Sequence, residues 1–169
     1  MTHLYNAMPP YSHRAPGVIG AACDCDKVYV EIIADNVHSH PATVRTTFKM
    51  FGDDRNCLIS DSMKACRLED GQYTLGGQAV TVKGNLATLT ELGNIAGSVT
   101  NLMNWVRTAV KVMDIPLTSA IKCAAVNPAK AIGIYDKYGS LTVGKQANVV
   151  LLDEDLEIKY IIKDGKIVK

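Results

Sequence analysis

Two nearly continuous apolar runs stand out in the first third of the chain. The runs KVYVEIIAD and NCLISDSM are rich in β-branched and aliphatic residues, which is typical of strands buried on both faces of a parallel sheet. Between them, HPATVRTTFKMFG carries Val44, Phe48 and Phe51 on one predicted helical face. Gly52 is a suitable residue to end that helix. The order strand, helix, strand predicts a βαβ unit and therefore an α/β fold.

The pattern changes in the second third of the chain. Residues 67–98 contain short alternating runs divided by Gly-Gly and Lys-Gly pairs, which predict small antiparallel hairpins. From Thr100 the apolar positions follow a helical period instead. The residues of that face are Leu102, Val106, Ala109, Val110 and Met113.

Turn and cap residues divide the last third of the chain. Pro116 is placed to begin a further helix. Asn127 and Pro128 are predicted as the N-cap and first residue of a separate short helix. The tail is predicted to form three short strands, and the Asp164-Gly165 pair is a strong hairpin signal.

Composition and charge narrow the classes of function. The 169 residues are enough for one domain with a core, and a net charge of +1 without a basic stripe argues against nucleic-acid binding. No apolar stretch is as long as a membrane span, and the N-terminus does not resemble a signal peptide. The five cysteines lack a CxxC spacing, which favours reduced thiols in the cytoplasm. The pair Cys23 and Cys25 is a weak metal motif by itself.

Side chains that can bind metals or transfer protons follow both predicted parallel strands. The first strand leads into Asp35, His38 and His40, and the second ends at Asp61. Parallel sheets carry catalytic residues at the carboxyl ends of their strands. If the N-terminal loop packs at the same end of the sheet, His3 and Arg14 join these residues. The set would then suit a metal-dependent hydrolase that acts on an anionic substrate.

Several motifs together resemble one enzyme family. THLYNAM, HRAPG, EIIADNVHSHP, LISDSM, IAGS, NPAKAIGI and GSLTVGKQANVVLLD occur in the order found in N-acetylglucosamine-6-phosphate deacetylases of the amidohydrolase superfamily. The first two motifs are specific to this deacetylase. The last is shared by many amidohydrolases and is weak by itself.

The resemblance implies that the chain corresponds to the C-terminal portion of a longer fold. The family has a metal-dependent hydrolase (β/α)8 TIM barrel and a small β-sandwich built from both chain ends. The chain would begin at the end of barrel strand six, with residues 27–35 as strand seven and 57–61 as strand eight. Residues 1–138 would then belong to the barrel, and residues 139–169 would supply the C-terminal strands of the sandwich.

The resemblance also implies residue roles for the chemistry. His3 would be a ligand of a divalent metal, most simply zinc, whose other ligands lie in the N-terminal part of the family's fold. Asp61 would be the catalytic carboxylate that accepts a proton from water and passes it to the departing amine. His38 would contact the substrate and help to polarise its acetamide carbonyl. His40 is more simply explained as a residue beside the site or at the surface. Trp105 is more simply explained as a packing residue.

The substrate implied is a phosphosugar, N-acetylglucosamine 6-phosphate, which is hydrolysed to glucosamine 6-phosphate and acetate. By resemblance, phosphate and sugar contacts come from Asn6, Ala7 and Arg14. The backbone of Ile95, Ala96 and Gly97 would also touch the substrate. A homodimer is the expectation for the intact enzyme.

Two alternatives remain open at this stage. The chain could be a truncated, inactive remnant, or a half-enzyme that needs an N-terminal partner, because a partial parallel barrel leaves strand edges and apolar faces unpartnered. It could also be a phosphosugar-binding module, since the candidate phosphate contacts are present while most metal ligands are not.

Overall fold

The computed structural model describes residues 1–169. Its helices are α1 (Gly17–Asp24), α2 (Pro41–Arg55), α3 (Leu102–Lys111), α4 (Leu117–Ile121) and α5 (Asn127–Ala131), with a π-helical segment, Lys122–Val126, joining the last two. The strands are β1 (Val30–Ile32), β2 (Asn56–Leu58), β3 (Gly71–Leu75), β4 (Gln78–Lys83), β5 (Leu86–Leu89), β6 (Val149–Leu152), β7 (Ile158–Lys163) and β8 (Lys166–Ile167).

A parallel pair, β1 and β2, forms the centre of the first part of the chain, as the apolar runs predicted. The N-terminal segment extends this arrangement, because the Glu31 N–H donates to the Met1 carbonyl at 2.9 Å and the Leu4 N–H donates to the Glu31 carbonyl at 2.7 Å. Both strands are shorter than the predicted 27–35 and 57–61. Strand β1 ends at Ile32 and β2 at Leu58, and the backbone adopts a positive φ only farther along, at Asn36 (62°) and Asp61 (48°).

Helix α2 packs the predicted face against this pair. Val44 is buried with Phe48 partly buried against the same core, and Phe51 is buried in a separate cluster that includes Val30 of β1. Pro41 occupies the first turn, where its missing N–H costs nothing. Gly52 interrupts the helix with a φ of 65° and ψ of 178°, at the predicted position, but the helix continues and ends at Arg55 instead.

The main core lies between the parallel pair and helix α3. Ile32 and Leu58 meet Val106, Ala109 and Met113 there, and all five are at most 4 % exposed. The predicted helical face of α3 is therefore confirmed. Burial of each large aliphatic side chain contributes about 1.5–3 kcal/mol.

A second, smaller core lies under an antiparallel sheet. Strands β3, β4 and β5 are neighbours in chain order, which confirms the predicted hairpins. Val80, Val82 and Ala87 of this sheet pack on Met63 and Ala96. The sheet is thereby attached to the segment that follows β2.

The prediction that Asn127 caps a separate helix is wrong. Asn127 has helical φ and ψ values of −65° and −45°, and the chain passes from α4 through the π-helical segment into α5 without a break. Its side-chain amide is used elsewhere, donating to the carbonyls of Asp53 at 2.7 Å and Asn56 at 2.6 Å. The residue therefore joins the helix to the start of β2 instead of capping it.

The C-terminal sheet has the order β6–β7–β8, as predicted for the tail. Asp164 and Gly165 form its last turn with φ values of 51° and 78°, which a type I′ hairpin requires at both positions. None of the helices combines the length and apolar character needed to cross a bilayer.

Candidate active site

Three neighbouring segments run in parallel and carry the candidate residues in or after their carboxyl-terminal ends. Residues 1–4 lie beside β1, and β1 lies beside β2. His3 lies within the first segment, the Asp35–His38 turn follows β1, and Asp61 follows β2. The expectation that the candidate residues come from adjacent strand ends agrees with this topology, while their roles remain predictions.

His3 has the tautomer that a metal ligand needs. Its Nδ1 lies 2.9 Å from the carbonyl oxygen of Asn6. A carbonyl oxygen only accepts hydrogen bonds, so Nδ1 carries the hydrogen and Nε2 keeps its lone pair. Metal-binding histidines commonly donate their other ring N–H to such a carbonyl.

A divalent metal therefore fits His3, but the chain supplies only part of a site. Residues 1–169 contain no group of three or more His, Cys, Asp or Glu side chains that could hold a metal. Catalytic zinc sites use about three protein ligands. The donors of this chain are compatible with one ligand of a site completed by other residues.

His38 is held by a buried carboxylate. The ring Nδ1 lies 2.6 Å from Asp35 Oδ2, and the two side chains are 7 % and 1 % exposed. The other oxygen, Asp35 Oδ1, accepts the backbone N–H groups of Val37 at 2.9 Å and His38 at 2.7 Å. One carboxylate thus fixes both the loop backbone and the imidazole.

These hydrogen bonds keep Asp35 ionised. Burial by itself would raise the pKa of Asp35. The hydrogen bond from the His38 ring, the two backbone N–H groups and the charge of His38 outweigh it and hold the pKa below its usual value. The pair is therefore a carboxylate accepting from an imidazole N–H.

Asp61 is exposed just beyond β2. Its φ of 48° is a left-handed conformation that Asp tolerates better than most residues. Its carbonyl oxygen accepts the Ser98 N–H at 2.9 Å, and the Met63 N–H donates to the Ser98 carbonyl at 2.8 Å. The backbone around the candidate carboxylate is consequently fixed while its side chain stays accessible.

The segment 95–97 is part of the same unit. Ala96 is buried, and its N–H donates to the Ala87 carbonyl at 2.9 Å. Ile95 is 44 % exposed. Gly97 has a φ of 26°, and a Cβ there would lie 3.4 Å from the Asp61 carbonyl oxygen. The segment therefore runs against the Asp61 backbone, as a substrate-contacting loop would.

The candidate phosphate contacts lie in the N-terminal loop. Asn6 donates to the Leu4 carbonyl at 3.2 Å, and Ala7 is exposed with a φ of 55°. Arg14 is exposed in a tight turn that pairs Ser12 with Ala15. No hydrogen bond or ion pair connects Arg14 to His3, His38 or Asp61, so their convergence on one ligand remains a prediction.

His40 and Trp105, the two residues that were not assigned a chemical role, make structural contacts. His40 caps α2, because its Nδ1 accepts the Ala42 N–H at 3.1 Å. Trp105 is 3 % exposed, and its indole N–H donates to the Ser60 carbonyl at 3.4 Å. Packing was the simpler explanation for Trp105, and the structure agrees.

Asp35 is the residue whose role sequence reasoning missed. It was recognised only as a polar residue after a strand. The available signal was its spacing of three residues from His38, which lets a carboxylate reach an imidazole across a tight turn.

Comparisons with known proteins agree with this architecture. The sequence profile of the amidohydrolase family matches residues 1–168. The chain is 43 % identical to N-acetylglucosamine-6-phosphate deacetylase of Bacillus subtilis over 99 % of its own length and 42 % of that protein. It is 36 % identical to a putative N-acetylgalactosamine-6-phosphate deacetylase of Escherichia coli K12, with 98 % of both chains covered.

Solved structures give the same result. A mutant N-acetyl-D-glucosamine-6-phosphate deacetylase from Mycobacterium smegmatis, in complex with N-acetyl-D-glucosamine-6-phosphate, superposes with a TM-score of 0.93 at 36 % identity, over 99 % of this chain and 44 % of that one. The Pasteurella multocida deacetylase gives a TM-score of 0.92 at 33 % identity, over 98 % of this chain and 43 % of that one. The chain thus spans less than half the length of most of these relatives. With a family match over nearly all of its residues, the chain belongs to the amidohydrolase family.

Proposed function

We propose that the chain carries the C-terminal part of the active site of an N-acetylglucosamine-6-phosphate deacetylase. The reaction is hydrolysis of the acetamide of N-acetylglucosamine 6-phosphate to glucosamine 6-phosphate and acetate. The observation that carries the proposal is that His3 lies within the first of three adjacent parallel segments, and that His38 and Asp61 follow the other two. The similarity to deacetylases supports it.

His3 would contribute one ligand to a divalent metal, for which zinc is the proposed ion. When bound, the metal supplies Lewis-acid activation of water and of the acetamide oxygen. The Nδ1 hydrogen bond to Asn6 leaves Nε2 free for this role. The remaining ligands would come from residues outside this chain.

The other candidate residues divide the remaining work. The Asp61 carboxylate accepts a proton from the attacking water and delivers it to the departing amine. In its imidazolium form, His38 donates its Nε2 hydrogen to the acetamide oxygen and stabilises the charge that develops there. These two roles require an exposed carboxylate and a fixed imidazole, which agrees with the exposure of Asp61 and the buried support of His38.

Recognition of the phosphosugar is assigned to the loops. The Arg14 guanidinium can bind phosphate through two parallel hydrogen bonds, and its exposure leaves it available. Asn6 and Ala7 add polar contacts beside it. The backbone of Ile95, Ala96 and Gly97 would line the sugar side of the site.

A second candidate, a half-enzyme that needs an N-terminal partner, is favoured by one surface. A largely apolar groove of about 650 Å³ lies between α3, the π-helical segment, residues 138–141 and β6. Strand β6 is also an edge of its sheet. The proposed division into a barrel part (1–138) and a sandwich part (139–169) places this groove between the two parts, where the N-terminal region present in the longer relatives could pack.

The test is amine release from N-acetylglucosamine 6-phosphate by the 169-residue chain, with zinc and with a chelator. The chain is assayed alone and mixed with the N-terminal region of the Bacillus subtilis relative that it does not cover. N-acetylgalactosamine 6-phosphate is assayed in parallel, because the relative of similar length carries that name. Asp61→Asn should reduce turnover by about two to four orders of magnitude.

Asp136→Asn is the matched control, because Asp136 is exposed and lies in none of the proposed contacts. Activity of the chain alone would support a self-sufficient enzyme, and activity only in the mixture would support the half-enzyme. Saturable binding of the phosphosugar without turnover under any condition would favour a binding module. Turnover that Asp61→Asn leaves intact would refute the assigned chemistry.

A further inference from the structure

Both oxygens of the Asp35 carboxylate accept hydrogen bonds from the same short loop, residues 37–38. Oδ1 accepts from the backbone of Val37 and His38, and Oδ2 accepts from His38 Nδ1. The residue is 3 % exposed, so water does not compete for these bonds. An ionised carboxylate has no hydrogen to donate, and therefore the hydrogen between Asp35 and His38 belongs to Nδ1.

We propose that Asp35 is a positioning residue that fixes His38 as the Nδ1–H tautomer and leaves Nε2 as the only ring atom available for proton exchange or substrate contact. The proposal deepens the function proposed above and rests on it for the role of His38. In the neutral ring, Nε2 is an acceptor. In the imidazolium, Nε2 is a donor, and the Asp35 carboxylate balances the charge.

The neighbouring histidine provides an internal contrast. His40 Nδ1 accepts the backbone N–H of Ala42 at 3.1 Å, so neutral His40 must carry its hydrogen on Nε2. His38 and His40 are two residues apart and are thus assigned opposite tautomers. The difference follows from the partner of each Nδ1, a carboxylate for His38 and a backbone N–H for His40.

The same carboxylate also determines where the ring lies. Its hydrogen bonds to the Val37 and His38 N–H groups form a turn in which the His38 backbone is fixed relative to the end of β1. The bond to Nδ1 then fixes the ring orientation. Orientation and tautomer are therefore coupled, as they are when a carboxylate orients a catalytic histidine.

The experiment is a long-range ¹H–¹⁵N spectrum of the 169-residue chain labelled at its four histidines, recorded at about pH 8 so that ordinary histidines are neutral. His38→Gln and His40→Gln assign the two rings. The expected result is Nδ1–H for His38 and Nε2–H for His40. Asp35→Asn should change His38 to Nε2–H, because the asparagine amide can donate to Nδ1 while its oxygen keeps the backbone bonds.

Asp136→Asn is the control and should leave every tautomer unchanged. An Nε2–H tautomer for His38 in the unmodified chain, or an unchanged tautomer in folded Asp35→Asn, would overturn the proposal. If Asp35→Asn does not fold, the spectrum of the unmodified chain still tests the proposal. Its His38 Hδ1 resonance should be more deshielded than Hδ1 of His3, which is donated to a neutral carbonyl, and equal shielding would contradict the assignment.

None of these readouts depends on turnover. Failure of the deacetylase proposal would therefore leave the tautomer result intact, and failure of the tautomer result would leave the activity of Asp61 and the metal untouched.

Discussion

The backbone N–H of Ser98 donates to the carbonyl oxygen of Asp61 across 2.9 Å. The Ser98 carbonyl accepts the Met63 N–H at 2.8 Å, so the two segments pair in parallel just beyond β2. Ala96, two residues earlier, is buried under the antiparallel sheet. The candidate catalytic aspartate and the candidate substrate loop are thus held together by the backbone.

Gly97→Ala should destabilise the chain and disturb this pairing. The φ of 26° disfavours a side chain, and a Cβ would lie 3.4 Å from the Asp61 carbonyl oxygen and 3.5 Å from Met63 Cβ. We expect a loss of about 1–2 kcal/mol in the free energy of unfolding, measured by urea denaturation. Gly84→Ala is the control, because Gly84 has a φ of 61° and no atom within 4 Å of the added Cβ. A smaller loss at Gly97 than at Gly84 would show that the contact with Asp61 is not restrictive.

The contribution of Asp35 to stability should disappear in acid. Its pKa is lower in the folded chain than in the unfolded chain, where Asp titrates near its ordinary value of about 4. Its stabilising contribution is therefore present above about pH 4 and is lost as the pH falls through the lower, folded pKa. Urea denaturation of the unmodified chain and Asp35→Asn between about pH 5 and 3 should show a difference that shrinks towards low pH. A difference that grows on acidification would contradict the sign.

The sequence pattern predicted those features that depend on local periodicity. The apolar runs located β1 and β2, and the helical period located the buried face of α3, including Val106 and Ala109. Gly52 and the Asp164-Gly165 pair were identified because their turns need positive φ values. These signals are carried by a few consecutive residues and need no tertiary contact.

The features that the sequence did not predict depend on distant or competing partners. Asn127 has the side chain of an N-cap, but its amide is used by the carbonyls of Asp53 and Asn56, which lie about seventy residues earlier. The strand ends were placed too late because the apolar runs continue past Ile32 and Leu58, where the strands end, without a glycine or proline to mark the end. The candidate site was predicted from the polar residues after the two apolar runs and from the resemblance, whereas the hydrogen bond between Asp35 and His38 emerged only from the geometry.

The five cysteines should react with a thiol reagent at different rates. Burial raises the pKa of Cys57 to about 11 and that of Cys123 to about 12, so both thiols remain protonated and inaccessible at neutral pH. Cys25 is exposed and should be labelled first. Mass spectrometry after brief labelling should find Cys57 and Cys123 unmodified until urea unfolds the chain. Early labelling of either residue in native buffer would show that the main core opens locally.

Lys145→Met should destabilise the segment that connects α5 to the C-terminal sheet. The Lys145 ammonium donates to the carbonyls of Tyr135 and Tyr138 and lies 3.3 Å from the centroid of the Tyr135 ring. Hydrogen bonds from a charged donor contribute about 1.5–3 kcal/mol, so we expect a loss of that order in urea denaturation. This lysine belongs to the GSLTVGKQANVVLLD motif, and its contacts here are structural.

A spectroscopic readout separates the loss of this charge from a general loosening of the fold. The pKa of Tyr135 is lowered by a hydrogen bond with Ser140 and by the charge of Lys145. Lys145→Met should therefore raise that pKa, which phenolate absorbance detects as a later alkaline titration. Lys137→Met is the control: Lys137 is exposed and its side chain forms no ion pair, so stability should change by no more than about 0.5 kcal/mol. Equal effects of the two substitutions would remove Lys145 from the contacts that hold the C-terminal sheet in place.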